Sequence, residues 1–343
     1  MPRNFFEFGI IVFLIIFPTL GICKNIPTQE RSQEKKASIT FGVLYRHDIE
    51  AEKQKYQKLQ DYLNQKGFTV KLEYFKDPKD IENLIDKMKS GDIDVAGELA
   101  PFDYLRFKKV VKPFARSVWN GRDFYYSVIV AKKNENIQTI SDLEGKTIAL
   151  SNPESTSGFI YPRSMIYEKN FDLKAKGISQ RGKGENVVFY KYYGNYKNVL
   201  RAIIEGEESD IVAGSLPEFF FKEALRNNVD IANSLIILSD GRSKPIKNGV
   251  FVYRKDFFDG TVERFTAVLI NLTENPPPHF FEDWKGFQGW LTWEDGDYDG
   301  LVRAMNTPSP TEKAILWYLI IVGIVVLFLS SLFVLKLMRK GER

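Results

Sequence analysis

From Ala314 to Leu335 the chain runs through apolar and small residues without a charge, and only Ser330 and Ser331 are polar. A run of that length crosses a bilayer as a helix, where each backbone amide is satisfied inside the segment. Trp317 and Tyr318 stand at its start, where interfacial aromatics sit, and Lys336, Arg339, Lys340 and Arg343 follow it. The positive-inside rule then predicts a cytoplasmic basic tail, 336–343, and puts everything before the helix outside. The alternative, a buried core helix, fits neither the length nor the flanks.

The other end carries a second apolar stretch. Arg3 supplies positive charge and Gly9 to Phe17 an apolar core, the layout of an export signal, with Glu7 as an acidic residue out of place. Cys23 follows in Leu20-Gly21-Ile22-Cys23. This resembles a bacterial lipoprotein signal, in which the cysteine becomes the lipidated first residue, although Ile22 stands where a small residue is usual. Two readings stay open for 1–23: a signal peptide ending in a lipidated Cys23, or an uncleaved N-terminal anchor. The polar, charged stretch 24–37 reads as a flexible tether. Both ends place the middle of the chain on the extracytoplasmic, periplasmic side of the cell membrane.

Charge and composition remove several classes of function. The net charge is +4, with basic and acidic residues mixed along the chain, so no basic stripe points to nucleic acid. One cysteine and two histidines leave no disulfide framework and argue against a Cys/His metal site. No serine sits in a Gly-x-Ser-x-Gly elbow, and the carboxylates show no spacing of a metal or glycosidase pair. The expectation is a protein that is not an enzyme, with neither metal nor cofactor.

From Ser38 onward, short apolar strands alternate with amphipathic helices. Ile39–Leu44, Val70–Phe75 and Ile93–Ala96 read as strands. Tyr56, Leu59, Tyr62 and Leu63 share one helical face, as do Ile81, Leu84, Ile85 and Met88. This predicts α/β layers. An internal echo adds to it. Gly91-Asp92-Ile93-Asp94-Val95-Ala96-Gly97 precedes Leu99, Pro101 and Phe102, and the stretch from Gly206 to Gly214 precedes Leu216, Pro217 and Phe219. In each, an Asp opens a short strand that stops near a glycine before a helix restarts, which suggests two lobes of similar build with a ligand cleft between them. After the helix Thr261–Leu272, Asn275-Pro276-Pro277-Pro278 breaks the chain. The stretch from His279 to Val302, with Trp284, Trp290 and Trp293, reads as a tail packed on one lobe.

The stretch Ser155-Thr156-Ser157-Gly158 follows the apolar strand Thr147–Leu150 and the turn Ser151-Asn152-Pro153-Glu154. Strand, hydroxyl-rich turn and helix together have the layout of an oxyanion site. The first amides of a helix have no intrahelical acceptor, the helix dipole is positive there, and three hydroxyls add donors. The competing reading is that these residues only cap the helix.

In these pieces the chain resembles the phosphate/phosphonate-binding proteins of ABC importers, a family of two-lobed periplasmic binding proteins. The resemblance runs from about Ile39 to Val302. It rests on Gly91 to Tyr104, on Tyr125-Tyr126-Ser127-Val128-Ile129-Val130, on Ile140 to Lys146, and on Ser155-Thr156-Ser157-Gly158 with Pro162 and Arg163. Gly194 to Asp210 and Asp297-Tyr298-Asp299 complete it. It implies a type II-like α/β fold with lobe 1 at 38–125, rejoined by 241–305, and lobe 2 at 126–240; the transmembrane helix at 314–335 rests on the apolar run alone and lies beyond the resemblance. The resemblance implies ligand contacts from Ser155, Thr156, Ser157, Gly158, Tyr104, Tyr125, Tyr196 and Asp210. The family usually has a histidine at the position of Tyr196, and this chain has one extra residue between Gly206 and Asp210. Tyrosine can donate a hydrogen bond but carries no imidazolium charge. Asp210 reads equally as an acceptor for a ligand amine or as a strand opener. Arg46 and His47, after the first strand, fall at the cleft edge, where an exposed arginine is the default.

The function so implied is a membrane-anchored solute-binding protein that closes on a small oxyanion and hands it to an ABC permease. A second reading is a sensing subunit that signals to a membrane partner such as a sensor kinase. A third is a binding fold without a ligand.

Overall fold

The computed structural model describes residues 36–45, 49–77, 79–133, 136–177, 185–205, 210–228 and 233–341, with side chains to Leu332. Cys23 and the signal reading, and likewise Arg46 and His47, lie outside the described residues.

The strands, in chain order, are β1 (Ala37–Tyr45), β2 (Phe68–Lys76), β3 (Val95–Leu99), β4 (Val111–Trp119), β5 (Phe124–Tyr125), β6 (Ser127–Lys132) and β7 (Thr147–Leu150). There follow β8 (Asp172–Ala175), β9 (Val187–Tyr192), β10 (Ile211–Pro217), β11 (Leu235–Arg242), β12 (Ile246–Lys247), β13 (Val250–Arg254) and β14 (Phe287–Thr292). The helices are α1 (Ile49–Gln65), α2 (Ile81–Ser90), α3 (Pro101–Phe107), α4 (Tyr161–Glu168) and α5 (Tyr196–Glu205). They continue with α6 (Glu218–Asn227), α7 (Asp259–Glu274), α8 (Asp299–Met305) and α9 (Pro310–Gly341).

Two six-stranded sheets result, one for each lobe of a periplasmic-binding-protein fold. The first runs β14-β4-β13-β3-β1-β2 and the second β11-β6-β10-β7-β9-β8. In the first, β1 pairs in parallel with β2 from Ala37↔Phe68 to Tyr45↔Lys76, and with β3 at Phe41↔Val95. In the second, β7 pairs in parallel with β9 and β10. Each sheet then turns antiparallel on one side, β13 against β3 in the first and β6 against β10 in the second. The short pair β5–β12 links the two sheets, with Ile246 opposite Tyr125.

Helical spacing gives each helix its buried face. On α1 these are Tyr56, Leu59, Tyr62 and Leu63. On α2 they are Ile81, Leu84, Ile85 and Met88, and the helix stops at Gly91, whose φ of 86° is open to glycine at little cost. The core of the first lobe is aromatic. Phe41 stacks on Phe251, and Phe265 meets Phe68 and Phe114 edge-on. Each such side chain, fully buried, contributes roughly 1.5–3 kcal/mol.

The stretch after the prolines is not a tail laid on a lobe. Phe287–Thr292 is the edge strand β14, paired with β4, and Trp284, Phe287 and Trp290 sit inside the aromatic core. Phe287, Gly289 and Trp290 are buried on that strand, whose alternation is broken by an irregularity in its pairing with β4 between Phe287 and Gly289, and the segment completes the sheet.

The echo repeat coincides with equivalent strands. β3 and β10 each lie between a parallel and an antiparallel neighbour, and each leads directly into a helix, α3 or α6. Asp94, before β3, accepts the Thr40 N–H of β1 at 2.8 Å and Arg254 Nε at 3.1 Å. Asp210, before β10, accepts from Thr147 Oγ1 of β7 at 3.1 Å and pairs with Lys176. In both lobes the strand-opening aspartate ties its strand to the neighbouring parallel one.

α9 extends the apolar run in both directions. The most apolar window of Pro310–Leu332 has a mean hydropathy of 2.7 and none of it is buried, so the segment is long and apolar enough to cross a membrane.

Candidate functional site

β7 ends at Leu150, and the chain turns at Ser151 into one wide π turn, Thr156–Ile160, that runs directly into α4. The Ile160 N–H reaches back to Ser155 O at 3.0 Å, the five-residue spacing that defines such a turn. Ser155 is its N-cap, and its Oγ accepts the Gly158 N–H at 3.0 Å. Capping is therefore part of the serine's role. It leaves the amides of Thr156 and Ser157 at the positive end of the helix, where no residue of the turn can satisfy them.

Tyr196, at the start of α5, closes over this turn. Its hydroxyl lies 2.9 Å from Ser155 Oγ and 3.0 Å from Ser157 Oγ. One phenolic hydroxyl thus engages both serines of the motif. Two serines with no sequence signal of their own hold the turn from beneath. Ser127 Oγ of β6 and Ser215 Oγ of β10 donate to Ser157 O at 2.6 and 2.9 Å, and both residues are fully buried. Ser151 Oγ is also buried beside Gly158 and has no hydrogen-bond partner among the described residues.

The opposing lobe contributes a second helix start. The Phe102 N–H, in the first turn of α3, donates to Thr156 Oγ1 at 3.3 Å, and Arg106 further along reaches Glu154 at 2.8 Å. Two helix N-termini therefore face each other across the turn. Tyr104 points elsewhere, since residues two apart on a helix do not share a face. It packs against Trp293 and Tyr298, with ring centroids 5.4 and 5.6 Å away. Burial, aided by Asp295, raises its pKa and keeps the hydroxyl protonated. Tyr125 lies on the linking strand β5 with its ring edge-on to Phe219 at 5.9 Å.

The structure thus brings Ser155, Thr156, Ser157, Gly158 and Tyr196 into one hydrogen-bonded group. Tyr104 and Tyr125 stand in aromatic clusters along the interface between the lobes. Asp210 does not join them. It lies at the far end of β10 from Ser215, held by Lys176 and Thr147, which favours the strand-opening reading over the ligand-amine one. Among the described residues no cluster of His, Cys, Asp and Glu could hold a metal ion.

Beside the linking strands lies a buried charge network that the sequence did not reveal. Arg116 of β4 donates to Asp123 at 3.0 Å, Asp297 at 2.8 Å and Thr292 O at 2.6 Å. Lys247 of β12 reaches Asp123 at 2.7 Å. Burial alone would lower the Arg116 pKa, but Asp297 and Asp123 outweigh it and hold the guanidinium above its ordinary value.

A family model for the ABC transporter, phosphonate, periplasmic substrate-binding protein matches residues 41–298. The phosphonates-binding periplasmic protein of Escherichia coli (strain K12) is 26% identical over 168 residues, 47% of this chain and 48% of that protein. The match thus spans about half the length of that curated relative. Among solved structures, a Xanthomonas citri protein bound to chloride ion has a TM-score of 0.65 at 16% identity, covering 79% of this chain and 96% of that one. PhnD1 from Prochlorococcus marinus (MIT 9301), in complex with methylphosphonate, has a TM-score of 0.57 at 14% identity, covering 80% and 100%. At such identities the likeness of the structures is one of fold.

Proposed function

The chain belongs to the family of ABC-transporter periplasmic substrate-binding proteins for phosphonate, and on that premise we propose that it binds a small phosphonate- or phosphate-like oxyanion between its lobes. The observation that carries this reading is the serine turn, with Tyr196 over it and α3 facing it from the other lobe. Hydroxyls and amides gathered at a helix N-terminus favour a compact anion without a metal or an arginine. A ligand that touches both the Ser155–Gly158 turn and the first turn of α3 binds the closed form better than the open one, and hinge closure follows from that difference. α9 holds the binding lobes at the membrane, with the lobes on the extracytoplasmic side, and an ABC permease receives the ligand.

Thermal unfolding of the full-length protein tests this against inorganic phosphate, phosphite, methylphosphonate and sulfate. A ligand at a hundredfold excess over its Kd is expected to stabilise the fold by about 2.7 kcal/mol. In the double variant Ser155→Ala/Thr156→Ala that shift is expected to vanish. A shift of undiminished size would make the turn a cap and nothing more.

Tyr196 sets the strength of binding. It offers one neutral donor already shared with two serines, where an imidazolium would add charge. Tyr196→His is therefore expected to bind inorganic phosphate about tenfold more tightly at pH 6, roughly 1.4 kcal/mol. The gain is present while the imidazole is protonated and is lost as pH rises through its pKa. Kd values for variant and parent, taken as a ratio at each pH from 6 to 8.5, remove the titration of the anion itself. A ratio that stays flat, or that falls below one at pH 6, would count against the role given to this position.

A further inference from the structure

Between Tyr298 and Pro310 the chain passes from one lobe to the other on its way to the membrane. Its upstream part is fixed to the first lobe. Asp297 is held by Arg116 of β4, and the Tyr298 hydroxyl donates to Asn248 O at 2.5 Å. Its downstream part is fixed to the second. Arg163 of α4 donates through Nη2 to Met305 O at 2.7 Å, and Ser164 Oγ lies 2.8 Å from Thr307 Oγ1. Asp172 of β8 accepts the Thr311 N–H at 3.4 Å and also the Thr311 hydroxyl. Between these two attachments, Leu301 and Ala304 of α8 are buried in a cluster shared by both lobes, with Ile160 and Tyr161 of the second beside Leu99, Val250 and Val252 of the first. At the crossing point is Gly300, where a β-carbon would lie 3.2 Å from the Tyr161 hydroxyl, so the small residue allows α8 to approach α4 closely.

α4 is the helix that the serine turn opens into. The turn and two of the three side chains gripping the connector, Arg163 and Ser164, therefore belong to one short stretch, with only Phe159 to Pro162 between Gly158 and Arg163, and Asp172 opens the next strand. From this the geometry points to a coupling function. α9 is a rigid extension of the second lobe, clamped through Arg163, Ser164 and Asp172, so that closure of the lobes on a ligand displaces the membrane span relative to the first lobe. Bending falls in the stretch from Tyr298 to Ala304, which both lobes hold, before the second-lobe hydrogen bonds begin at Met305. Such a device reports occupancy of the cleft to whatever contacts α9 in the bilayer, a signalling output that delivery of a ligand does not need. It rests on the reading of α9 as a membrane span.

Spin-label distances in the full-length protein in lipid nanodiscs test it, in a Cys23→Ser background. One pair joins α4 to the span, Glu168→Cys with Ala314→Cys. The other joins the first lobe to the span, Lys71→Cys with Ala314→Cys. The expected result is one narrow α4–span distance that does not change with methylphosphonate or inorganic phosphate, and a first-lobe–span distance that shifts with whichever anion binds. Breaking the clamp from the lobe side (Arg163→Ala/Asp172→Asn) or from the connector side (Thr307→Val/Thr311→Val) is expected to broaden the α4–span distance. The connector-side variant leaves α4 and the serine turn untouched. A broad α4–span distance in the parent protein, or one that moves with ligand while the first-lobe distance stays fixed, overturns the clamp. An anion that raises the melting temperature yet leaves the first-lobe–span distance unchanged overturns the coupling. Silence from anions that also leave the melting temperature unchanged counts against the oxyanion reading, and the clamp is then judged by whether the α4–span distance is narrow and broadens in both variants. Extraction of the protein from membranes by alkaline carbonate would separately refute the membrane span.

Discussion

Replacing Arg116 by alanine is expected to destabilise the protein by about 3 kcal/mol, the typical cost of removing one partner from a buried ion network. The residue is 4% exposed, and it satisfies Asp123, Asp297 and a backbone carbonyl at once. Without it Asp297, itself 3% exposed, keeps among the described residues only Lys247 as a cation, at 3.9 Å. With an unfolding entropy of about 2.1 cal/mol/K per residue, the loss corresponds for a chain of this size to a fall in melting temperature of roughly 4–5 °C. Thermal unfolding at pH 7.5 measures it, and Arg116→Lys is expected to recover a minor part, since an ammonium cannot fork to two carboxylates. A fall of less than a couple of degrees for Arg116→Ala would show that Lys247 alone neutralises the pair.

The same network fixes the sign of the acid response. Burial alone would raise the Asp123 pKa, but hydrogen bonds from Lys247 and then Arg116 outweigh it and hold the carboxylate below its ordinary value. A group depressed in the folded state stabilises fully above its unfolded pKa, about 4, and that contribution is lost as pH falls through the folded value. Melting temperature should therefore drop below about pH 4. The drop should be shallower in Asp123→Asn, which has no proton to take up.

Gly158→Ala is expected to abolish anion binding, with at least about a hundredfold loss of affinity, roughly 2.7 kcal/mol. A β-carbon at this position would lie 1.9 Å from Ser151 Oγ, 2.9 Å from Ser151 Cβ and 2.8 Å from Ser155 Oγ. The first two contacts press on Ser151, which is 1% exposed, and the third displaces the serine hydroxyl that caps the turn. Overpacking of this kind costs about 1–3 kcal/mol of stability as well. Adding Ser151→Gly removes both Ser151 contacts. The double variant should therefore regain most of the stability while the displaced Ser155 keeps binding weak. Titration calorimetry with methylphosphonate, beside thermal unfolding, separates the two effects. Binding by Gly158→Ala that matched the parent would mean that the anion does not sit on this turn.

Much of the architecture was legible because it is written in local periodicity. The faces of α1 and α2, the apolar strands and the charge-free run into α9 each bury or expose a set of residues fixed by helix or strand geometry alone. The serine turn was legible for the same reason, since a cap is defined within four residues of chain. The aromatic segment around Trp284 and Trp290 was misread as a tail because its strand partner, β4, lies far upstream and nothing in the segment names it.

The site itself divides along the same line. Its composition, three hydroxyls and a glycine at a helix start, was set by the sequence. Tertiary structure decided which group meets which. Tyr196 reaches Ser155 and Ser157 across 41 and 39 residues, and Ser127 and Ser215 converge on Ser157 O from separate strands. Asp210 was a ligand candidate by position and became a strand tie once β7 was laid beside β10. Arg116 looked like any other arginine until β4, β5, β12 and the segment before α8 were brought together around it. Local rules fix what a few neighbouring residues must do to satisfy their own backbone and bury their own face. Pairings between distant hydroxyls and charges depend on sheet order, which the whole core decides at once.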